Sequence, residues 1–271
     1  MDKSKAAVFT EPLKPLEIQE FPIPEVEPGA VLVQMQMAAV CGSDIHKWHD
    51  KSSTGPMIFG HENVGSVAQL GSGSVKDALG RPLKEGDRIV FRAAPCGRCP
   101  SCTRGLTCSV NLLYGYIPAD KPPYIRGGFS QYIYLDPSPW VLKVPDEMST
   151  ERALLAVIGN HTNLLGLEKI GGINTADTVV IQGAGPIGMG GLIQSKIAGA
   201  ARVIVIGAPS TRLELAKQIG ADDTISIEDY PTPEARVARV QELTGSIGPD
   251  VIIECSGATS AVQEGLEMVR K

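Results

Sequence analysis

Histidine is scarce in this 271-residue chain, with 4 in all, and cysteine is limited to 6. Basic residues are outnumbered, 25 Lys and Arg against 30 Asp and Glu, for a net charge of −5. With no basic footprint, nucleic acid is excluded as an expected partner. The first ten residues, MDKSKAAVFT, hold no apolar stretch of the roughly 7–15 residues that a secretory signal requires. No run of about 18 apolar residues occurs, which excludes a membrane-spanning helix. Internal repeats and low-complexity tracts are also missing. These absences predict a cytoplasmic protein, in which cysteines stay reduced and clustered thiols suit a metal better than disulfides.

What is present is globular in composition, 43% hydrophobic and 20% charged, and long enough for two domains. Residues 1–150 are rich in Pro and Gly. They carry short β-type runs (AAVFT, LEIQEFPIP, AVLVQMQMAAV, NVGSVAQLG, DRIVFRA, FSQYIYL) separated by turn residues. This predicts a compact β domain of barrel type, with a sandwich as the alternative. The pattern changes over residues 151–271. STERALLAVIGNHTNLLGLEKIG reads as one helix with Ser149 or Thr150 as N-cap. Strands DTVVIQG, ARVIVIG, DTISI and PDVIIECSG follow, with helices PIGMGGLIQSKIAG, STRLELAKQIG and SAVQEGLEMVRK between or after them. Such alternation predicts a parallel, doubly wound α/β sheet. Four strands are readable where a complete dinucleotide domain has six, so either further strands lie beyond Lys271 or a partner covers the open edge.

The turn VVIQGAGPIGMGG supplies G-x-G-x-x-G at Gly183, Gly185 and Gly188. Gly183 permits the tight turn, Gly185 lets backbone approach a pyrophosphate, and Gly188 lets helix and strand pack closely. With Pro186 and Ile187, these residues are the expected cofactor turn. An acidic residue about 20 positions on would bind the ribose 2′-hydroxyl of NAD. Gly207 stands there instead, nineteen residues after Gly188, with Ser210, Thr211 and Arg212 following. This leans toward NADP and leaves NAD open. Arg212 is equally readable as a solvated residue of the first helical turn.

PCGRCPSCTRGLTC places Cys96, Cys99, Cys102 and Cys108 in a C-x2-C-x2-C-x5-C spacing. Four thiolates so close can close a tetrahedral zinc site with no open position, which makes that zinc structural. An iron–sulfur cluster is the chemical rival. Cys41, His61 and Glu62 form a second set of donors of mixed softness, suited to a zinc that keeps a position open for water or substrate. A turn held by Gly60 and Gly65 brings both His61 and Glu62 to one metal, or leaves Glu62 just behind it. Asp44 is a candidate acceptor for a ligand imidazole N–H. Ser43 is placed to hydrogen-bond a metal-bound alcohol, and His46 to pass its proton to solvent. The bland alternative makes Cys41 a core thiol and His61 a turn residue.

Together CGSDIH, GHENVG, EGDRIV, the four-cysteine lobe, GGFSQY and VVIQGAGPIG resemble the zinc-dependent medium-chain alcohol/polyol dehydrogenases over the whole chain. The resemblance implies a GroES-like catalytic domain and a Rossmann domain, with the active site in the cleft between them. It implies two zinc ions: a catalytic one held by Cys41, His61 and Glu62, and a structural one held by Cys96, Cys99, Cys102 and Cys108. Ser43 and His46 would form the proton relay. The partners implied are a small alcohol or carbonyl substrate and, in the full-length form, further copies of the chain in a dimer or tetramer. The implied reaction is a reversible hydride transfer between an alcohol or polyol and NAD(P).

Three departures stand out. Many alcohol dehydrogenases supply another zinc ligand as Cys in a C-x3-T pattern, and polyol members place Glu there. Counting back from Thr162, this chain has Ile158, which cannot bind a metal. The site then resembles the polyol arrangement with Cys41, His61, Glu62 and a water, or is impaired; His161 is a weaker candidate ligand. The cysteine lobe is also shorter before its last Cys than is usual, and the family continues beyond Lys271. Arg92, on a segment that borders the family's pocket, is a candidate for an anionic substrate group, and Trp48 and His49 for the entrance. Zinc-independent quinone or enoyl reductases lack the Cys41/His61 pair and the lobe. The remaining alternative is a catalytically impaired or non-enzymatic, zinc-stabilised nucleotide-binding fragment.

Overall fold

The computed structural model describes residues 3–92, 99–104, 108, 113–137 and 139–271. The chain forms two compact units, Met1–Val157 and Ile158–Lys271.

In the first unit β1 (Lys3–Phe9), β2 (Glu17–Pro22), β3 (Val31–Ala38), α1 (Gly42–His49), β4 (Met57–Ile58), β5 (Asn63–Leu70), β6 (Arg88–Arg92), α2 (Pro100–Thr103), β7 (Tyr132–Leu135), β8 (Trp140–Lys143) and α3 (Thr150–Leu155) follow in order. Two antiparallel sheets result, β2-β1-β4 and β7-β3-β5-β6-β8. Side-chain alternation along a strand decides which core each residue joins. On β3, Val31 and Val33 enter one core with Val67, Ile89 and Ile133, while Leu32 enters a second with Val8, Ile58 and Tyr134. On β7, Ile133 and Leu135 join the first, and Tyr132 and Tyr134 the second. An isolated bridge from Ala6 to Ser130 ties β1 to the lead-in of β7, closing the sheets toward a barrel.

The predicted single helix after residue 149 is broken into three parts. Ser149, not Thr150, is the N-cap of α3, its side chain accepting from the Arg152 N–H. A π-helical turn, Ala156–Asn160, interrupts the run before α4 (His161–Ile170), which Gly171 ends in the left-handed region at φ 87°. Gly159 in that turn packs against α5: a Cβ on Gly190 would come within 2.3 Å of its carbonyl oxygen.

The second unit continues with β9 (Thr178–Gln182), α5 (Pro186–Ala198), β10 (Arg202–Gly207), α6 (Ser210–Ile219), β11 (Asp223–Ser226), α7 (Pro233–Leu243), β12 (Val251–Glu254) and α8 (Ala261–Met268). The four strands are parallel in the order β11-β10-β9-β12. The order reverses direction at β9, and a crevice beyond the carboxyl ends of the strands is the expected ligand position in such a sheet. Alternation again sorts the faces. Val179, Ile181, Val203 and Val205 pack on one side, and Val180, Ile204 and Ile206 on the other with Val240 and Met268. Helix α7 is absent from the sequence reading, yet a crossover from β11 to β12 needs it. Thr232 caps it through the Ala235 N–H and Pro233 opens it. Among the described residues no helix is long and apolar enough to cross a membrane.

Candidate functional site

Antiparallel pairing of β3 and β5 gathers the first donor set. Ala38 lies opposite Asn63, and the Ala39 N–H donates to the Glu62 carbonyl, so the end of β3 and the start of β5 meet at one edge. Cys41 follows β3 as the N-cap of α1. His61 and Glu62 precede β5 in a turn whose Gly60 has φ 97°, with the Gly60 carbonyl accepting from Gly128 N–H and Asn63 Nδ2. A side chain on Gly60 would strike Phe129. Gly65 does not hold this turn, as the sequence suggested; it lies inside β5, where a Cβ would meet the Gln34 carbonyl at 2.5 Å.

One donor atom from each of Cys41, His61 and Glu62 lies within 4.8 Å of the others, which fits a single shared ion. Asp44, only 2% exposed, braces this set. Its Oδ2 accepts the Cys41 N–H at 2.9 Å, and its Oδ1 lies 3.4 Å from His61 Nδ1, within ion-pair range but outside hydrogen-bond alignment. Asp44 is the third residue of α1, so the bond to Cys41 is half of a capping box. Asp44 first, and Cys41 after it, raise the His61 imidazole to about 10. His61 in turn lowers the Cys41 thiol, and burial raises Glu62. A zinc ion would replace that proton with its own charge, since a metal ligand must be the neutral imidazole and the thiolate.

Ser43 Oγ stands 3.4 Å from His61 Nε2. His46 is exposed three residues further along α1, and no hydrogen bond joins it to Ser43 among the described residues. Tyr116 was not foreseen. Its hydroxyl is 2.9 Å from Ser43 Oγ and 3.0 Å from Asp44 Oδ1, and its ring centroid is 5.3 Å from that of His61. Trp48 donates to the Lys14 carbonyl, with the His49 ring edge-on to it. The Arg92 guanidinium lies 4.6 Å over the Trp140 ring. Ile158 sits in the π-helical turn and offers no donor; His161 begins α4 and belongs to neither donor group among the described residues.

The cysteine lobe places Cys99, Cys102 and Cys108 together, each with its sulfur within 4.8 Å of the others. Cys99 Sγ and Cys108 Sγ are 3.8 Å apart. A zinc tetrahedron with sulfur bonds near 2.3 Å has edges of about 3.8 Å. Cys99 and Cys108 are buried, and Cys99 caps α2 by accepting from the Cys102 N–H. Cys96 lies outside the described residues.

In the second unit a cavity of ≈ 380 Å³ opens at the carboxyl ends of the strands, lined among others by Gly183, Gly185, Gly207, Arg212, Arg236 and Glu264. Gly183, at φ 114°, leaves no space for a Cβ beside Cys255 and Ser256. Gly185 faces open space at the start of α5, where helix N–H groups point outward. Gly188 does not line the cavity: a Cβ there would lie 1.8 Å from the Gly183 carbonyl, so it serves packing. Pro186 and Ile187 likewise stay off the lining, Pro186 as the first residue of α5 and Ile187 with its carbonyl bound by Asn163 Nδ2. Arg212 makes no ion pair among the described residues. Arg236 is taken by Glu264 and the Tyr230 carbonyl.

Comparison with known proteins places this geometry. A family profile for the alcohol dehydrogenase GroES-like domain matches residues 27–146, and one for zinc-binding dehydrogenases matches residues 186–271. The chain is 34% identical over 271 residues to a 5-exo-hydroxycamphor dehydrogenase of Pseudomonas putida, covering 99% of this chain and 74% of that protein. It is 33% identical over 261 residues to sorbitol dehydrogenase of Pongo abelii, covering 93% and 68%. Among solved structures, an alcohol dehydrogenase from Thermotoga maritima superposes with a TM-score of 0.88 at 35% identity, over 99% of this chain and 75% of that one. A protein described as a zinc-binding dehydrogenase from Sinorhizobium meliloti, bound to NADP, gives a TM-score of 0.81 at 28% identity, over 100% and 75%. The chain belongs to the zinc-dependent medium-chain alcohol/polyol dehydrogenase family, with a GroES-like β domain and a Rossmann-type sheet.

Proposed function

We propose that this chain transfers a hydride reversibly between an alcohol or polyol and a nicotinamide cofactor. The observation that carries the reading is the convergence of Cys41, His61 and Glu62 within 4.8 Å, beside Ser43. When bound, zinc supplies Lewis acidity toward the alcohol oxygen and the nicotinamide accepts the hydride. The chain's own residues do the rest. Cys41, His61 and Glu62 hold the metal. Asp44 faces His61 Nδ1 and so leaves Nε2 for the metal. Ser43 Oγ accepts the proton of the substrate hydroxyl as its own hydrogen leaves toward solvent, where His46 stands exposed on the same helix to take it up. Cys99, Cys102 and Cys108, with Cys96, hold a second zinc that stiffens their lobe.

Gly207 and Arg212 favour NADP over NAD. A glycine at the end of β10 presents no carboxylate to repel a 2′-phosphate, and Arg212, which makes no ion pair among the described residues, lines the same cavity. A dimer or tetramer, as expected of the family, belongs to the same proposal.

The test is Cys41→Ser in the zinc-loaded chain, assayed against a panel of alcohols and polyols. Loss of turnover with the fold intact supports the reading; retained turnover overturns it. Ile158, which offers no donor atom, favours a second reading in which the site holds zinc but turns over little. Zinc at both sites without activity on any substrate in the panel would support that alternative.

A further inference from the structure

Tyr116 belongs to a turn that is pressed onto the metal-ligand turn. Gly115, at φ 90°, sits so close to Gly60 that a Cβ would lie 3.1 Å from its carbonyl oxygen, and the Gly115 N–H is held by the Arg126 carbonyl. The phenol of Tyr116 therefore arrives between Ser43 and Asp44, at 2.9 and 3.0 Å, with its ring against Phe59 and His61.

A phenol has one proton, so it cannot donate to both neighbours. An ionised carboxylate only accepts, whereas a serine hydroxyl both donates and accepts. The carboxylate is also the stronger acceptor, because its hydrogen bonds are charge-assisted. The Tyr116 proton thus goes to Asp44 Oδ1, and the 2.9 Å contact with Ser43 is made by the serine O–H donating to the phenol oxygen. That turns the Ser43 hydrogen away from the donor set and leaves an Oγ lone pair on the side of His61 Nε2, 3.4 Å away.

We propose that Tyr116 is a positioning residue for the substrate: it fixes Ser43 as an acceptor, so that the site selects ligands presenting a hydroxyl hydrogen over ligands that can only accept. This rests on the reading of Cys41, His61 and Glu62 as the zinc site.

The experiment compares two probes on the zinc-loaded chain with oxidised cofactor bound, by calorimetric titration. Trifluoroethanol donates and accepts; dimethyl sulfoxide only accepts. Tyr116→Phe keeps the ring and removes the hydroxyl. The expected result is about tenfold weaker trifluoroethanol binding in Tyr116→Phe, with dimethyl sulfoxide within about twofold of the parent or tighter, as loss of one hydrogen-bond constraint predicts. Ser43→Ala should reproduce the trifluoroethanol loss, and Tyr116→Phe added to it should cost less than about twofold more, because the two residues act as one unit. Unchanged trifluoroethanol binding, equal loss of both probes, or losses that multiply in the double variant would each overturn the proposal. Failure of both probes to bind the parent in a zinc-dependent way would instead overturn the reading of the metal site, and the proposal with it.

Discussion

Asp44 Oδ1 lies 3.4 Å from His61 Nδ1, while its other oxygen takes the backbone N–H of Cys41 at 2.9 Å. One buried carboxylate thus braces two of the three residues of the donor set. A partner on the far nitrogen of a metal-ligating imidazole fixes its tautomer and ring orientation. Asp44→Ala should therefore weaken zinc retention at this site by about 10–100-fold, read by competition with a colorimetric chelator. Retention equal to the parent would mean that Asp44 only caps α1.

Arg212 offers the sharpest prediction for the second unit. Arg212 lines the cavity and makes no ion pair among the described residues, whereas Arg236, which also lines it, is already engaged by Glu264. Arg212→Ala should lower NADP affinity about tenfold and leave NAD affinity within about twofold, since only the former carries a phosphate to pair. Fluorescence titration of the reduced cofactors decides it. Equal loss for both would assign Arg212 to the adenine ring or to the fold.

The two donor sets and the glycine turn are legible in the sequence because each is local in chain or carries a strict spacing. Cys99, Cys102 and Cys108 lie within ten residues, and G-x-G-x-x-G follows a strand. Tyr116 is not legible: it meets Asp44 across 72 residues, through a turn whose docking depends on Gly115 and Gly60. Helix α1 escapes notice because GSDIHKWH is only 8 residues long with Ile45 and Trp48 as its large apolar side chains, and its start is set by Asp44 bonding back to Cys41. Helix α7 is masked by its Pro-flanked beginning, although Thr232 and Pro233 are good start signals. The π-helical turn has no periodic signature; Gly159 against Gly190 is the close contact that accompanies it.

Arg236 and Glu264 form a two-point ion pair between α7 and α8, at 2.8 and 2.7 Å, with side chains 11% and 4% exposed. Removing one partner leaves the other charge buried. Glu264→Ala should cost about 3 kcal/mol of stability, read from the urea midpoint of the second unit's unfolding. Replacing both by apolar residues of similar volume, Arg236→Met with Glu264→Leu, should recover most of that loss. A cost under about 1 kcal/mol for the single change would mean that water reaches the pair and screens it.

Asp87 gives the pH prediction for the β unit. It is 5% exposed, with Lys143 Nζ at 2.8 Å from one oxygen and the Lys84 N–H at 3.0 Å from the other. Burial pushes its carboxyl up, but the Lys143 ammonium and the Lys84 N–H outweigh burial and hold it below the usual carboxylate range. The folded state then binds a proton less readily than the unfolded one, whose aspartate titrates near about pH 3.9. The stability Asp87 contributes is present in full above that pH and is lost as the pH falls through its depressed folded value. Asp87→Asn should lower the urea midpoint at pH 7 and flatten its decline in the acid range below about pH 4, because the residue that loses its charge there is gone. Parallel pH profiles for parent and variant would place the acid sensitivity in other carboxylates, of which the buried Asp77, held by Arg81, is the next to examine.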